Sequence, residues 1–120
     1  MQLVLASSSA YRKSQLQTLG LPFDCARPDI DESRLDKESA SAMALRLAVA
    51  KARAVSAQFP AACIIGSDQT VAFGEQILGK PGSFDAAIKQ LQRLRGQTVI
   101  FYSAVALLDT SNNTHQKYVT

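Results

Sequence analysis

Between Ile64 and Gly82 the chain reads Ile-Ile-Gly-Ser-Asp-Gln-Thr-Val-Ala-Phe-Gly-Glu-Gln-Ile-Leu-Gly-Lys-Pro-Gly. An apolar strand runs into Gly66-Ser67-Asp68-Gln69, and a short hairpin later the backbone delivers Lys80 just before Pro81. Strand ends in α/β proteins hold acids rigidly at the mouth of a crevice. An Asp and a Lys returned to one neighbourhood suit a metal-assisted reaction at a phosphate. The plain alternative is that Asp68 starts a turn and Lys80 is solvated.

Three other places carry residues of chemical interest. Leu3-Val4-Leu5-Ala6 runs into Ser7-Ser8-Ser9 and then a helix pattern with Arg12 and Lys13 in its first turn. A helix N-terminus offers free N–H groups and a positive dipole end, which attract phosphate. Arg12 shares a helical face with Leu16 and Leu19, so it is expected along the apolar side. The alternative is capping serines and two solvated bases, since no Gly-rich phosphate loop is present. On the next helix, Ala44, Leu47, Ala48, Ala54 and Val55 form the apolar face, with Lys51 near its middle and Arg46 and Arg53 opposite. A lysine there must snorkel, pair with an acid or reach a ligand. Asp29, Asp31 and Glu32 form an acidic loop of the kind that holds Mg²⁺ or Mn²⁺, or simply stays solvated. Tyr11 is a lone aromatic beside the serines, suited to packing or to stacking on a base.

The elements that must position these groups alternate between strand and helix. The pattern predicts a buried strand at Leu3–Ala6, a helix from about Ala10 to Leu19 stopped by Gly20, and a strand at Phe23–Ala26. A polar loop from Arg27 to Ser39 precedes an Ala-rich helix from about Ser41 to Ala57. A buried strand follows at Ala62–Gly66, then hairpin arms at Thr70–Phe73 and Gln76–Gly79. Ser83 caps a helix over Phe84–Leu94 that Gly96 ends. A β-rich run spans Thr98–Leu108, Asp109–Asn113 is a turn, and His115–Thr120 is a returning strand. This order defines an α/β fold.

Composition narrows the class. The 120 residues are 47% hydrophobic and 19% charged, a balance for one folded domain over residues 1–120 rather than disorder. No apolar run reaches membrane-spanning length and no secretory signal pattern opens the chain. Cys25 and Cys63 stand apart among apolar neighbours, which reads as buried free thiols in a cytoplasmic protein. The net charge of +3 comes from scattered bases, so nucleic acid is not the expected partner.

Together the motifs are more specific than any one. Leu-Ala-Ser-Ser-Ser-x-x-Arg (5–12), Asp-Glu (31–32), Lys-Ala (51–52), Gly-Ser-Asp-Gln (66–69) and Gly-Lys-Pro (79–81) resemble, in order, the Maf-like family of nucleoside triphosphate pyrophosphatases. The resemblance implies a mixed, twisted sheet with flanking helices and a central cleft, similar to the inosine triphosphatase type. It implies cleavage between the α and β phosphates, with Asp68 as proton acceptor. Ser7, Ser9, Arg12, Lys51 and Lys80 would bind the triphosphate, and Glu32 would hold a divalent metal (Mg or Mn). Tyr11 and Gln69 resemble the branch acting on 7-methyl-GTP. An aromatic face attracts a cationic base, and an amide can pair with the guanine edge. Ala10 stands where the family usually has proline. Family members continue beyond Thr120, so the chain reads as a C-terminally truncated member. The alternative function is a non-catalytic nucleotide-binding protein. The expected partner is a nucleoside triphosphate, without a membrane, and a homodimer stays open.

Overall fold

The computed structural model describes residues 2–78, 84–112 and 114–120. Strand β1 (Gln2–Ala6) is apolar on both faces from Leu3 on because it lies inside the sheet. It pairs in parallel with β2 (Asp24–Ala26) on one side and with β3 (Ala62–Phe73) on the other. β3 pairs antiparallel with β4 (Gln76–Leu78) and β5 (Ile100–Asp109), and β5 with β6 (Thr114–Val119). The result is a mixed six-stranded sheet ordered β2-β1-β3-β5-β6, with β4 on β3, as an α/β reading requires. The helices are α1 (Ala10–Gln17), α2 (Ala40–Ala54) and α3 (Phe84–Leu94), with a 3-10 turn at Ser56–Gln58.

One helix covers one face of this sheet. α2 buries Ala44, Ala48 and Ala52, spaced four apart, so a stripe without bulk runs along it. Ala44 and Ala48 pack with Ala104 and Ala106 of β5, while Ala52 joins Val4, Ala6, Ala62, Ile64 and Leu108. Gly66 of β3 allows the closest approach. A Cβ there would lie 2.0 Å from the Ala48 carbonyl oxygen and 2.9 Å from the Ala52 nitrogen. Thr70 fastens the other end of the contact, its Oγ1 donating to the Ala40 carbonyl at 2.6 Å. The opposite face of β5 and β6 exposes Phe101, Val105, Leu107 and Tyr118.

Several expectations change in detail. The Gly-Ser-Asp-Gln segment is not a strand end: β3 runs unbroken through it, because β5 stays paired from Cys63 to Ala72. α2 ends at Ala54, where Val55 caps it before the 3-10 turn, rather than at Ala57. α1 is shorter than expected, and Gly20 (φ 72°) makes the left-handed turn that follows it. Neither cysteine is buried. Cys25 is exposed on the edge strand, and Cys63 is half-buried on the sheet face away from α2. Gly79, Lys80, Pro81, Gly82, Ser83 and Asn113 lie outside the described residues.

Gly66→Ala tests the close contact. Forcing a methyl between α2 and β3 is expected to destabilise the protein by about 1–3 kcal/mol, read as a lower denaturation midpoint. An unchanged midpoint would mean the two backbones do not need to touch.

Candidate active site

The candidate groups gather where β1 ends beside β3. β5 occupies one edge of β3 along almost its whole length. The other edge is shared: β1 pairs with it up to Ala6 opposite Gly66, and β4 resumes at Val71. Among the described residues, 67–70 have no strand partner on that edge. The chain leaving β1 at this notch is the serine loop, so the end of β1 rather than a loop in β3 brings the serines beside it.

Alternation along β3 divides the notch between two faces. Asp68 follows Ile64 and Gly66 toward α2 and is buried there. Lys51, one helical turn beyond Leu47 and Ala48 on the apolar face, reaches it: its Nζ donates to Asp68 Oδ1 at 2.9 Å. The same ammonium lies 3.2 Å from Glu32 Oε1. The two partners differ in environment. The Lys51 and Asp68 side chains are 10% and 9% exposed, whereas Glu32 is 59% exposed. Lys51 thus bridges two carboxylates instead of snorkelling to solvent. Of the other loop acids, Asp31 accepts from the Ser33 nitrogen at 2.9 Å. Hydrogen bonding from Ser33, its side chain foremost, holds the Asp31 carboxyl below the usual aspartate range.

The serine loop is a helix start. Ser7 is buried and its Oγ accepts from the Ser9 nitrogen at 3.0 Å. Ser9 caps α1, its Oγ accepting from the Arg12 nitrogen at 3.3 Å. None of α1 is buried, so its apolar side does not seal onto the sheet. Arg12, Leu16 and Leu19 do share a face, as their spacing predicts. With Leu5, Ile65 and Ser67 they line a cavity of about 230 Å³. Gln69 lies on the same face of β3 as Ser67, and its Nε2 donates to Ser103 Oγ at 3.2 Å. Tyr11 is 72% exposed and is not a packing residue. Five of the described candidates therefore form two sets around one notch, while Ser7, Ser9 and Tyr11 belong to the loop and helix start that follow β1. Lys51, Asp68 and Glu32 stand on the α2 side, and Arg12 and Gln69 on the other.

Glu32 and Asp68 are hard oxygen donors converging on one cationic position. Among the described residues no group of three or more His, Cys, Asp or Glu is placed to hold a metal ion. Two carboxylates fit a cation that takes its remaining ligands from water and phosphate, as Mg²⁺ does. A larger cleft of about 610 Å³ opens between the start of α2 and the β3–β4 turn, beside Arg34, Lys37 and Tyr102, and holds none of the described candidates.

Sequence reasoning placed Arg46 opposite Lys51 and assigned it nothing. It is tied to Glu38 by two bonds, Nε to Oε2 at 2.6 Å and Nη2 to Oε1 at 2.8 Å, and to the Ser33 carbonyl at 2.9 Å. The Arg46 guanidinium holds the Glu38 carboxyl below its usual range. A charged residue on the outer face of a helix ahead of which stands an acidic loop was the available signal.

The fold is an α/β sheet that, where β1 ends beside β3, gathers a buried lysine–carboxylate pair, a second carboxylate and a serine-capped helix start. The chain belongs to the Maf-like protein family, whose sequence profile matches residues 2–120. It is 56% identical over 108 residues to the 7-methyl-GTP pyrophosphatase of Aromatoleum aromaticum, covering 90% of this chain and 56% of that protein. It is 51% identical over 108 residues to the 7-methyl-GTP pyrophosphatase of Nitrosococcus oceani, covering 90% and 54%. The chain thus spans just over half the length of these curated relatives. Among solved structures, the Staphylococcus aureus Ham1 protein superimposes with a TM-score of 0.65 over 99% of this chain and 68% of that one, at 14% identity. That likeness supports the expected inosine triphosphatase type of fold.

Two stability measurements probe these pairs. Lys51→Met leaves the Asp68 carboxylate buried and uncompensated, which is expected to cost about 3–5 kcal/mol. Adding Asp68→Leu should restore much of that loss, because the orphaned charge is gone. A Lys51→Met variant as stable as the parent would contradict the buried pair. For Glu38 the folded-state pKa is depressed, so its contribution is present above the unfolded value of about 4.3. Stability should fall as pH drops through and below that range, and Arg46→Met should flatten this part of the profile. An acid-unfolding profile unchanged by Arg46→Met would contradict it.

Proposed function

We propose that this protein hydrolyses a nucleoside triphosphate, preferentially 7-methyl-GTP, between the α and β phosphates to give monophosphate and pyrophosphate. The observation that carries this reading is the Lys51–Asp68–Glu32 constellation at the β3 notch, beside the serine-capped start of α1. The names of the relatives at about half identity support the reaction and the base. The protein's proposed location is the cytoplasm. Among the described residues, no helix is long and apolar enough to cross a membrane.

The mechanism follows from the residues. Ser7, Ser9, Arg12, Lys51 and Lys80 bind the triphosphate, with the α1 N-terminus and the cationic groups offsetting its charge. Asp68 takes the proton of an attacking water, which attacks phosphorus as pyrophosphate leaves. Its bond to Lys51 holds the carboxylate in one orientation. A divalent cation held by Glu32 and Asp68 would neutralise phosphate charge and polarise the reacting bond. Tyr11 stacks on the base, and its ring face attracts the positive charge of a 7-methylguanine. The Gln69 amide pairs with the guanine edge, its Nε2 bond to Ser103 helping to orient the carbonyl.

Asp68→Asn keeps the shape and removes the base, so pyrophosphate release should fall by about 10²–10⁴-fold while nucleotide binding changes little. Wild-type turnover in that variant would remove Asp68 from the chemistry. Nucleotide binding by the unsubstituted protein with no pyrophosphate release would favour the non-catalytic binding protein. The preference for 7-methyl-GTP over GTP is expected at about 2- to 30-fold, from a cation–π gain of about 0.5–2 kcal/mol. Tyr11→Arg should erase it by placing like charges together. Competition assays read this directly, and a parent protein preferring dTTP or UTP would overturn the choice of base.

A further inference from the structure

Glu32 sits on an irregular stretch between β2 and α2 in which residues 27–39 form neither helix nor strand. Its ion pair with Lys51 does not hold it there, because a carboxylate this exposed contributes little when paired. The restraint lies on the far side of the stretch. Arg46 donates twice to Glu38 and once to the carbonyl of Ser33, the residue after Glu32. The Glu38 side chain is only 8% exposed. It also accepts from the Leu35 nitrogen at 3.2 Å, while its own carbonyl accepts from Arg34 Nε at 2.8 Å. Bidentate, charge-assisted pairs of this kind are geometrically specific, and lysine cannot reproduce them.

We propose that Arg46 is a positioning residue, clamping the 33–38 segment to α2 through Glu38 and the Ser33 carbonyl and so setting Glu32 beside the Lys51–Asp68 pair. Arg46 and Lys51 lie on one helix, so a single rigid element fixes both the ammonium and the stretch that carries its second carboxylate. Arg46 touches no reacting group. Its effect passes through Glu32, and its importance to function rests on the cation-binding role given to Glu32 above.

The test compares Arg46→Met, Arg46→Lys, Glu38→Gln and Glu32→Gln in the full chain. Amide hydrogen exchange across residues 29–37 reads the clamp. A Mn²⁺ titration with a non-hydrolysable nucleoside triphosphate analogue, followed by the signal of free Mn²⁺, reads its consequence. Arg46→Met should speed exchange in 29–37 while β1 and β3 keep theirs, and should weaken Mn²⁺ half-saturation by about 10-fold or more, as loss of a ligand's support does. Arg46→Lys should fall between the parent and Arg46→Met. Glu38→Gln, which keeps size and one oxygen acceptor, should shift both readouts in the same direction, and it carries the test if Arg46→Met does not fold. Unchanged exchange in 29–37 would overturn the clamp. Unchanged half-saturation in Arg46→Met, with Glu32→Gln weakened, would overturn its consequence. If Glu32→Gln itself binds Mn²⁺ as the parent does, the ligand role of Glu32 fails, and the exchange result still decides the clamp.

Discussion

The site depends on how closely α2 lies against β3. Gly66 has no side chain, and the facing surface of α2 is Ala48 and Ala52, so helix backbone meets strand backbone. Lys51 stands between those alanines in sequence, and Asp68 is the next residue after Gly66 on the same face of β3. At this separation the lysine reaches the carboxylate at 2.9 Å with both groups nearly out of water. Each alone would be a costly buried charge, and together they satisfy one another. Burial of an ion pair is poor evidence for stability, since apolar packing of similar volume often serves as well. Its placement where β1 ends beside β3 is better explained by what the pair does there.

Two strands share that side of β3. β1 stops opposite Gly66, and the last described residue of β4, Leu78, pairs with Val71. Beyond the end of β1 the serine loop follows beside Asp68, with Arg12 and Gln69 toward the other face of the same strand. The larger cleft near Arg34 and Tyr102 has the volume of a ligand site, and Lys37 and Glu75 line it, but among the described residues they form no ion pair like that of Lys51 and Asp68. Convergent polar chemistry, more than volume, marks the notch as the functional site.

The inward lysine was legible in the sequence because helical periodicity needs only α2 itself. Ala44, Leu47 and Ala48 fix the apolar side, and Lys51 falls on it. The course of β3 was not legible. Gly66, Ser67 and Asp68 are turn-forming types, and a long antiparallel partner, β5, overrides that preference from far along the chain. The thiols failed for a related reason: Cys25 and Cys63 have apolar neighbours, but exposure follows strand order and sheet face, which neighbours do not encode. The Arg46 clamp was invisible because it rests on the path of an irregular segment. Periodicity could say only that Arg46 faces away from Lys51.

The central claim is that the notch, and not the larger cleft, receives the nucleotide. Backbone amide NMR shifts of the full chain, titrated with a non-hydrolysable analogue of 7-methyl-GTP, test it most directly. The account predicts perturbations concentrated at Ser7–Arg12, Glu32, Lys51 and Ser67–Thr70. Perturbations confined to Ser39–Ser41, Gly74–Ile77 and Tyr102, with the notch silent, would contradict it.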